Sequence, residues 1–245
     1  MVQNRSIVVI GASGGIGSAV VRQLRQTGFQ VVAAGRNLSA LQELAAETGA
    51  VAYQLDATDF AATTACMKWT AESVAPLYGA VNCAGSLLLK AAHRTSPDEF
   101  ASVIAASLTT AFSTVHAATQ HIDREGGSIV LISSAAARIG LANHEAIAAA
   151  KGGINGLVLS AATSYAPRNI RVNAVAPGLT ATPLTRSLTE NEMVLKGSLQ
   201  MHALRRAGTP EDISRAICFL VHPDQSWLTG QILGVDGGLA DLKAR

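Results

Sequence analysis

The sequence predicts an α/β fold: a three-layer, doubly wound parallel sheet of about seven strands in a single domain covering residues 1–245. Three observations carry this. Short β-prone runs alternate with helix-length segments along the whole chain. The apolar residues inside each run are consecutive rather than alternating, as in strands covered on both faces. A glycine-rich turn joins the first run directly to the first helix.

In chain order, Ser6–Ile10, Gln30–Ala34, Ala50–Leu55, Tyr78–Asn82, Ser128–Ser133, Arg171–Ala176 and Gln231–Val235 are the expected strands. The expected helices are Ile16–Thr27, Leu38–Thr48, Phe60–Ser73, Pro97–His121, His144–Tyr165 and Pro210–Val221. Pro97 and Pro210 each follow a Ser or Thr, the cap-then-proline start of a helix. Repeated strand–helix units with right-handed crossovers build one doubly wound sheet. Thr180–Ala207 has no clear period; its Thr, Ser and Leu content suits a mobile lid over a site.

Composition narrows the function. Hydrophobic residues make up 49% of the chain, which excludes disorder. The net charge of +2 comes from mixed charges, with no basic stripe for nucleic acid. Cys66, Cys83 and Cys218 have neither paired nor metal-ligand spacing, so a cytoplasmic location and no metal are expected. Met1–Ile10 is too short, and too soon followed by glycines, for a signal peptide. Phe100–Gln120 carries no Asp, Glu, Lys or Arg but seven Ser and Thr hydroxyls. That is a helix buried in protein, partly at a subunit interface, rather than in lipid.

The first expected strand ends in Gly11-Ala12-Ser13-Gly14-Gly15-Ile16-Gly17. Glycines there let the backbone approach a pyrophosphate, and the following helix offers unpaired N–H groups and a favourable dipole. In this strand–loop–helix context the motif predicts a Rossmann-type dinucleotide site. An NAD site usually has Asp or Glu at the end of strand two. Here the chain reads Ala33-Ala34-Gly35-Arg36-Asn37, with no carboxylate until Glu43. The Arg36 guanidinium suits a 2′-phosphate, so NADP(H) is expected over NAD(H).

With these motifs the sequence resembles the short-chain dehydrogenase/reductase family over essentially its whole length. The opening glycine pattern matches. Asp56 matches an acid that contacts adenine. Asn82-Cys83-Ala84-Gly85 is similar to the family's Asn-Asn-Ala-Gly, and Ser134 matches its catalytic serine. Pro177-Gly178-Leu179-Thr180-Ala181-Thr182 resembles the segment that holds the nicotinamide end. Gly208-Thr209-Pro210-Glu211-Asp212, Thr229-Gly230-Gln231 and Val235-Asp236-Gly237-Gly238 also resemble the family. The resemblance therefore implies cofactor contacts from Gly11, Ser13, Gly15, Ile16, Gly17, Arg36, Asp56, Asn82, Ala84, Gly85, Lys151, Pro177, Gly178 and Thr182.

The match breaks at the chemistry. The family's Tyr-x-x-x-Lys reads Ile147-Ala148-Ala149-Ala150-Lys151, and its upstream Asn reads Ser107. Carbonyl reduction needs a hydride and also a proton for the developing alkoxide. In the family the tyrosine hydroxyl gives that proton, helped by the lysine ammonium; isoleucine has none to give. On a helix, positions 144, 147 and 151 share a face, and imidazole titrates near neutrality. His144 is thus the candidate replacement acid/base, with Ser134 polarising the substrate oxygen and Lys151 retained. Glu145 points off that face.

The expected function is an NADP(H)-dependent oxidoreductase interconverting a carbonyl and an alcohol with a non-standard proton donor. The alternative is a catalytically silent NADP(H)-binding chain acting as a sensor or partner subunit; non-redox chemistry on the same scaffold is a third reading. The charge-poor helices Pro97–His121 and His144–Tyr165 resemble those that pair across a two-fold axis in the family. They predict a homodimer or a tetramer with 222 symmetry. Substrate choice would lie in Leu87–Thr95 and Thr180–Ala207, and His93 and Arg94 would more readily be surface residues than substrate contacts.

Overall fold

The computed structural model describes residues 4–243. Its seven strands are β1 (Ser6–Ile10), β2 (Gln30–Gly35), β3 (Val51–Gln54), β4 (Leu77–Asn82), β5 (Gly127–Ile132), β6 (Ile170–Pro177) and β7 (Ile232–Val235). They form one sheet in the order β3-β2-β1-β4-β5-β6-β7, every pair parallel. Each expected strand is present, with ends moved by at most one residue.

The sheet's period of two sorts its side chains into two cores. Val8, Ile10, Val32, Ala34, Ile129, Leu131, Val172 and Ala174 face one way. There they meet α3 (Phe60–Ser73), α5 (Thr110–His121) and α6 (Glu145–Tyr165). Ile7, Val9, Val31, Ala33, Val81, Val130 and Val175 face the other way. They pack on α1 (Gly15–Gln26), α2 (Leu38–Thr48) and α9 (Pro210–Val221). Central strands therefore read as unbroken apolar runs because both faces are covered.

Two expectations are corrected. The long helix Pro97–His121 is not one regular helix. It runs as α4 (Pro97–Ile104), a π-helical turn over Ala105–Thr109, then α5. By length and composition alone it could cross a membrane, but Ala111, Val115, Ala117 and Ala118 lie in the core against the sheet. Secondly, Thr180–Ala207 is helical in large part. It holds a 3-10 turn at Pro183–Thr185, α7 (Arg186–Thr189) and α8 (Glu192–Met201). Asn191 caps α8, its side chain accepting from the Val194 N–H.

Candidate functional site

Strand order reverses between β1 and β4, and in open α/β sheets ligands bind in the crevice at the carboxyl ends of the strands beside such a reversal. Gly11 turns there at φ 75°, and a Cβ on it would lie 2.7 Å from the Ala84 nitrogen and 2.8 Å from the Cys83 carbonyl carbon. The glycine loop is thus seated directly on the Asn82–Gly85 turn. Asn82 braces that turn. It is buried, its Oδ1 accepts from the Ala84 N–H at 2.8 Å, and its Nδ2 donates to Thr114 Oγ1 at 2.8 Å. Asn82 thus spends its side chain on the loop it holds, and would reach a ligand only through that loop.

The start of α1 fits an anion. Helices α2, α3, α4 and α9 are capped by the Asn37, Asp59, Ser96 and Thr209 side chains. At α1 the capping position is Gly14, with no side-chain cap. The N–H groups of its first turn, at Gly15, Ile16 and Gly17, are therefore left for a ligand. Gly17 is packed so closely that a Cβ would collide with the Gly11 carbonyl oxygen. Gly15 has a different reason to be glycine: a Cβ there would fall 2.9 Å from Thr182 Cγ2 and 3.3 Å from Pro183 Cδ. Thr182 thus lies across the glycine loop, its Oγ1 3.1 Å from Thr185 Oγ1.

At the exit of β2, a Cβ on Gly35 would lie 3.8 Å from Ser13 Oγ, so Ser13 and Arg36 flank the same point. Arg36 is exposed and makes no ion pair among the described residues. Asp56 follows β3. Its Oδ1 accepts from the Thr58 N–H at 3.0 Å and the Thr58 hydroxyl at 2.8 Å. Those bonds, and more weakly the Arg36 charge, hold its carboxyl below its usual range.

The far end of the crevice is built around Lys151. Its Nζ is buried and donates to the Ile132 carbonyl at 2.7 Å. Burial lowers its pKa to about 8, with a small opposing effect from Cys83. Burial pushes the Cys83 thiol up to about 12. A Cβ on Gly85 would lie 3.5 Å from Lys151 Nζ and 3.8 Å from Ser107 Oγ, which brings these three residues together. Ser107 sits in the π-helical turn, a feature common at functional sites. Its hydroxyl, like that of Ser86, is buried with no hydrogen-bond partner among the described residues. Gly153 admits the turn: a Cβ there would meet Leu108 Cδ2 at 2.8 Å. The unpartnered Ser107 hydroxyl near an ammonium with protons to spare fits the ribose hydroxyls of a dinucleotide. Ser86 was not among the sequence candidates; an uncommitted hydroxyl next to Gly85 was the only signal for it.

Ser134 stands at the exit of β5, its Oγ accepting from the Ala136 N–H at 3.1 Å. The neighbouring Ser133 donates to Asn155 Oδ1 at 2.6 Å, which ties β5 to the helix that carries Lys151. His144 is the residue before α6, not its first turn, with φ −105° and ψ 10°. The helical face therefore holds for Ile147 and Lys151 and stops short of His144. Its Nδ1 lies 2.8 Å from the Ala142 carbonyl, which accepts, so Nδ1 carries a proton, and Nε2 has no hydrogen-bond partner among the described residues. Ile147 is buried with Val103, Ala146 and Ala150, against Leu88 and Ile104. Pro177 ends β6, and the Gly178 N–H donates to the Val235 carbonyl at 3.3 Å. A cavity of about 310 Å³ adjoins Gly178 and Leu179, lined also by His202, Arg206, Asp212 and Asp236.

Comparison with known proteins agrees with this geometry. The family model described as enoyl-(acyl carrier protein) reductase matches residues 11–240. The chain is 35% identical over 242 residues to a 3-oxoacyl-(acyl-carrier-protein) reductase of Chlamydia pneumoniae, covering 96% of each. It is 32% identical over 241 residues to a cyclohexanol dehydrogenase of Acinetobacter sp. (strain SE19), covering 96% of this chain and 94% of the other. A short-chain type dehydrogenase/reductase structure from Mycobacterium ulcerans superposes with a TM-score of 0.92 at 28% identity, over 99% of this chain and 92% of that one. These relatives are oxidoreductases, and on the strength of the match and the fold the chain belongs to the short-chain dehydrogenase/reductase family.

Proposed function

We propose that this chain is a cytoplasmic, homo-oligomeric, NADP(H)-dependent oxidoreductase that interconverts a small carbonyl compound and its alcohol. The observation that carries the reading is the buried Lys151 ammonium, with one protein acceptor, at the end of a crevice that begins at the uncapped α1. Arg36 and Ser13 at the exit of β2 support the phosphorylated dinucleotide. When bound, the nicotinamide supplies or accepts the hydride. The first turn of α1 and Gly11 would hold the pyrophosphate, Lys151 the ribose hydroxyls, and Pro177, Gly178 and Thr182 the carboxamide end.

The chain's own residues then handle the proton. Ser134 steadies the substrate oxygen. With Ile147 at the family's tyrosine position, His144 is the proposed donor. Its Nε2 must be protonated to act in reduction and free to act in oxidation. The test is a fluorescence titration with NADPH and NADH, then a steady-state screen of ketones and alcohols against His144→Ala. NADPH is expected to bind more tightly, and the variant to lose roughly 10²-fold or more in turnover. Tighter NADH binding would sink the cofactor preference, and undiminished turnover in His144→Ala the donor.

Ile147 and Ser107 together also favour a second reading, a silent NADP(H)-binding chain that senses the cofactor or serves as a partner subunit. Intact NADPH binding without turnover on any carbonyl or alcohol, and a stable heteromeric partner in a pull-down, would select it.

A further inference from the structure

From Ala181 to Asp212 one residue is buried, and it is His202, 1% exposed. Neither α7 nor α8 buries a side chain of its own. His202 is therefore the one buried side-chain anchor of the excursion. Its Nε2 accepts from the Leu179 N–H at 3.2 Å, and its Nδ1 lies 2.8 Å from the Ser198 carbonyl. A backbone N–H can only donate and a carbonyl can only accept, so the ring is fixed as the neutral Nδ1–H form. The partner surface is shaped to receive it. A Cβ on Gly178 would fall 2.8 Å from Nε2, and one on Gly237 3.6 Å from Cδ2.

The chain then turns away sharply. Leu204 N–H donates to the Gly237 carbonyl at 3.0 Å, and Arg205 takes φ 55°, unusual for a side chain of that size. Leu179 is gripped twice. Its N–H goes to His202 and its carbonyl accepts from the Gly208 N–H at 2.9 Å. Two residues upstream of residue 181, Leu179 lies within the segment proposed to face the nicotinamide. Three residues further on, Thr182 lies on the glycine loop at Gly15.

We propose that His202 is a positioning residue: the latch that fixes residues 181–201 over the cofactor crevice by locking them to Leu179. This rests on the preceding reading that the crevice takes NADP(H). The test compares His202→Phe, which keeps a ring but neither bond, with His202→Gln, whose side-chain oxygen can accept from Leu179. Amide hydrogen exchange is followed by mass spectrometry on the full chain, with and without NADPH, beside NADPH titration.

In His202→Phe, peptides from 181–201 are expected to exchange about tenfold faster or more, with β4–β6 unchanged, and NADPH to bind about fivefold more weakly. His202→Gln is expected to recover both to within about threefold. Unchanged exchange in His202→Phe, or equal loss of protection across β4–β6, overturns the latch. So does a glutamine variant no better than phenylalanine, or a loosened segment with unaltered NADPH affinity. Wild-type protein that binds no NADPH sinks the cofactor reading instead, and the exchange contrast still decides the latch.

Discussion

Ile147 occupies an apolar cluster completed by Leu88 and Ile104, so a tyrosine there must push one of them aside. Such overpacking costs about 1–3 kcal/mol. Against that, a hydroxyl beside Lys151 would provide the proton that isoleucine lacks. Ile147→Tyr is expected to raise NADPH-dependent turnover within the roughly 10²–10⁴-fold span of general acid catalysis while lowering the urea midpoint. Unchanged turnover would mean that proton supply is not what limits the wild-type site. Lys151 makes a second prediction. Burial holds its pKa at about 8, below the ordinary 10.5. Between those values the folded chain binds fewer protons than the unfolded one, so stability rises with pH across that window, and below it the burial of the ammonium costs its full amount. Lys151→Met should remove the rise, roughly 3 kcal/mol by urea titration between pH 8 and 10.5. It should also stabilise the apo chain at neutral pH, less about 1–3 kcal/mol for the Ile132 carbonyl left unpaired. Parallel pH profiles for wild type and Lys151→Met above pH 8 would contradict this.

At the scale of elements, the helix starts repay a test. Thr209 and Asp212 cap α9 reciprocally, each side chain accepting from the other's backbone N–H at 3.2 and 2.9 Å. Thr209→Ala is expected to cost about 1 kcal/mol by urea unfolding, with no change in NADPH affinity. These signals were legible in the sequence, as were all seven strands, because Pro after a hydroxyl residue and an unbroken Val/Ile run each have one physical meaning. The π-helical turn around Ser107 was not. One extra residue per turn leaves composition and apolar spacing nearly unchanged, so Pro97–His121 read as one helix. Helices α7 and α8 were hidden for a different reason. They bury nothing, and without a buried face there is no period to find. His202 passed unnoticed with them, since a single anchor has no pattern. The glycine loop and Arg36 are singled out by their place after the first two strands, and Ser134 and Lys151 by the family resemblance; that Ser13 stands beside β2 and Ser107 beside Lys151 needs the tertiary fold.

The whole molecule leaves apolar surface without a cover. Phe100 and Phe112 on the α4–α5 helix and Leu159 on α6 are about half exposed. Phe219 on α9 is similarly open, and Trp227 beyond it is almost fully exposed. Surfaces of this kind mark contacts with other chains, and two separate sets suit a dimer or a 222 tetramer. Phe112→Glu combined with Leu159→Glu is expected to halve the mass seen by light scattering at micromolar concentration. A wild-type monomer would refute the assembly.

The double grip on Leu179 has a further consequence for how such a chain can change over generations. Residues 181–207 leave and return at neighbouring points, since Thr180 pairs with Gly208. Closing such an excursion costs only about 0.6 kcal/mol more for each doubling of its length. The outer stretch is thus an exchangeable cassette. It can be lengthened, shortened or rewritten while the strands below keep their register, so what the crevice admits can diverge without the foundation being rebuilt.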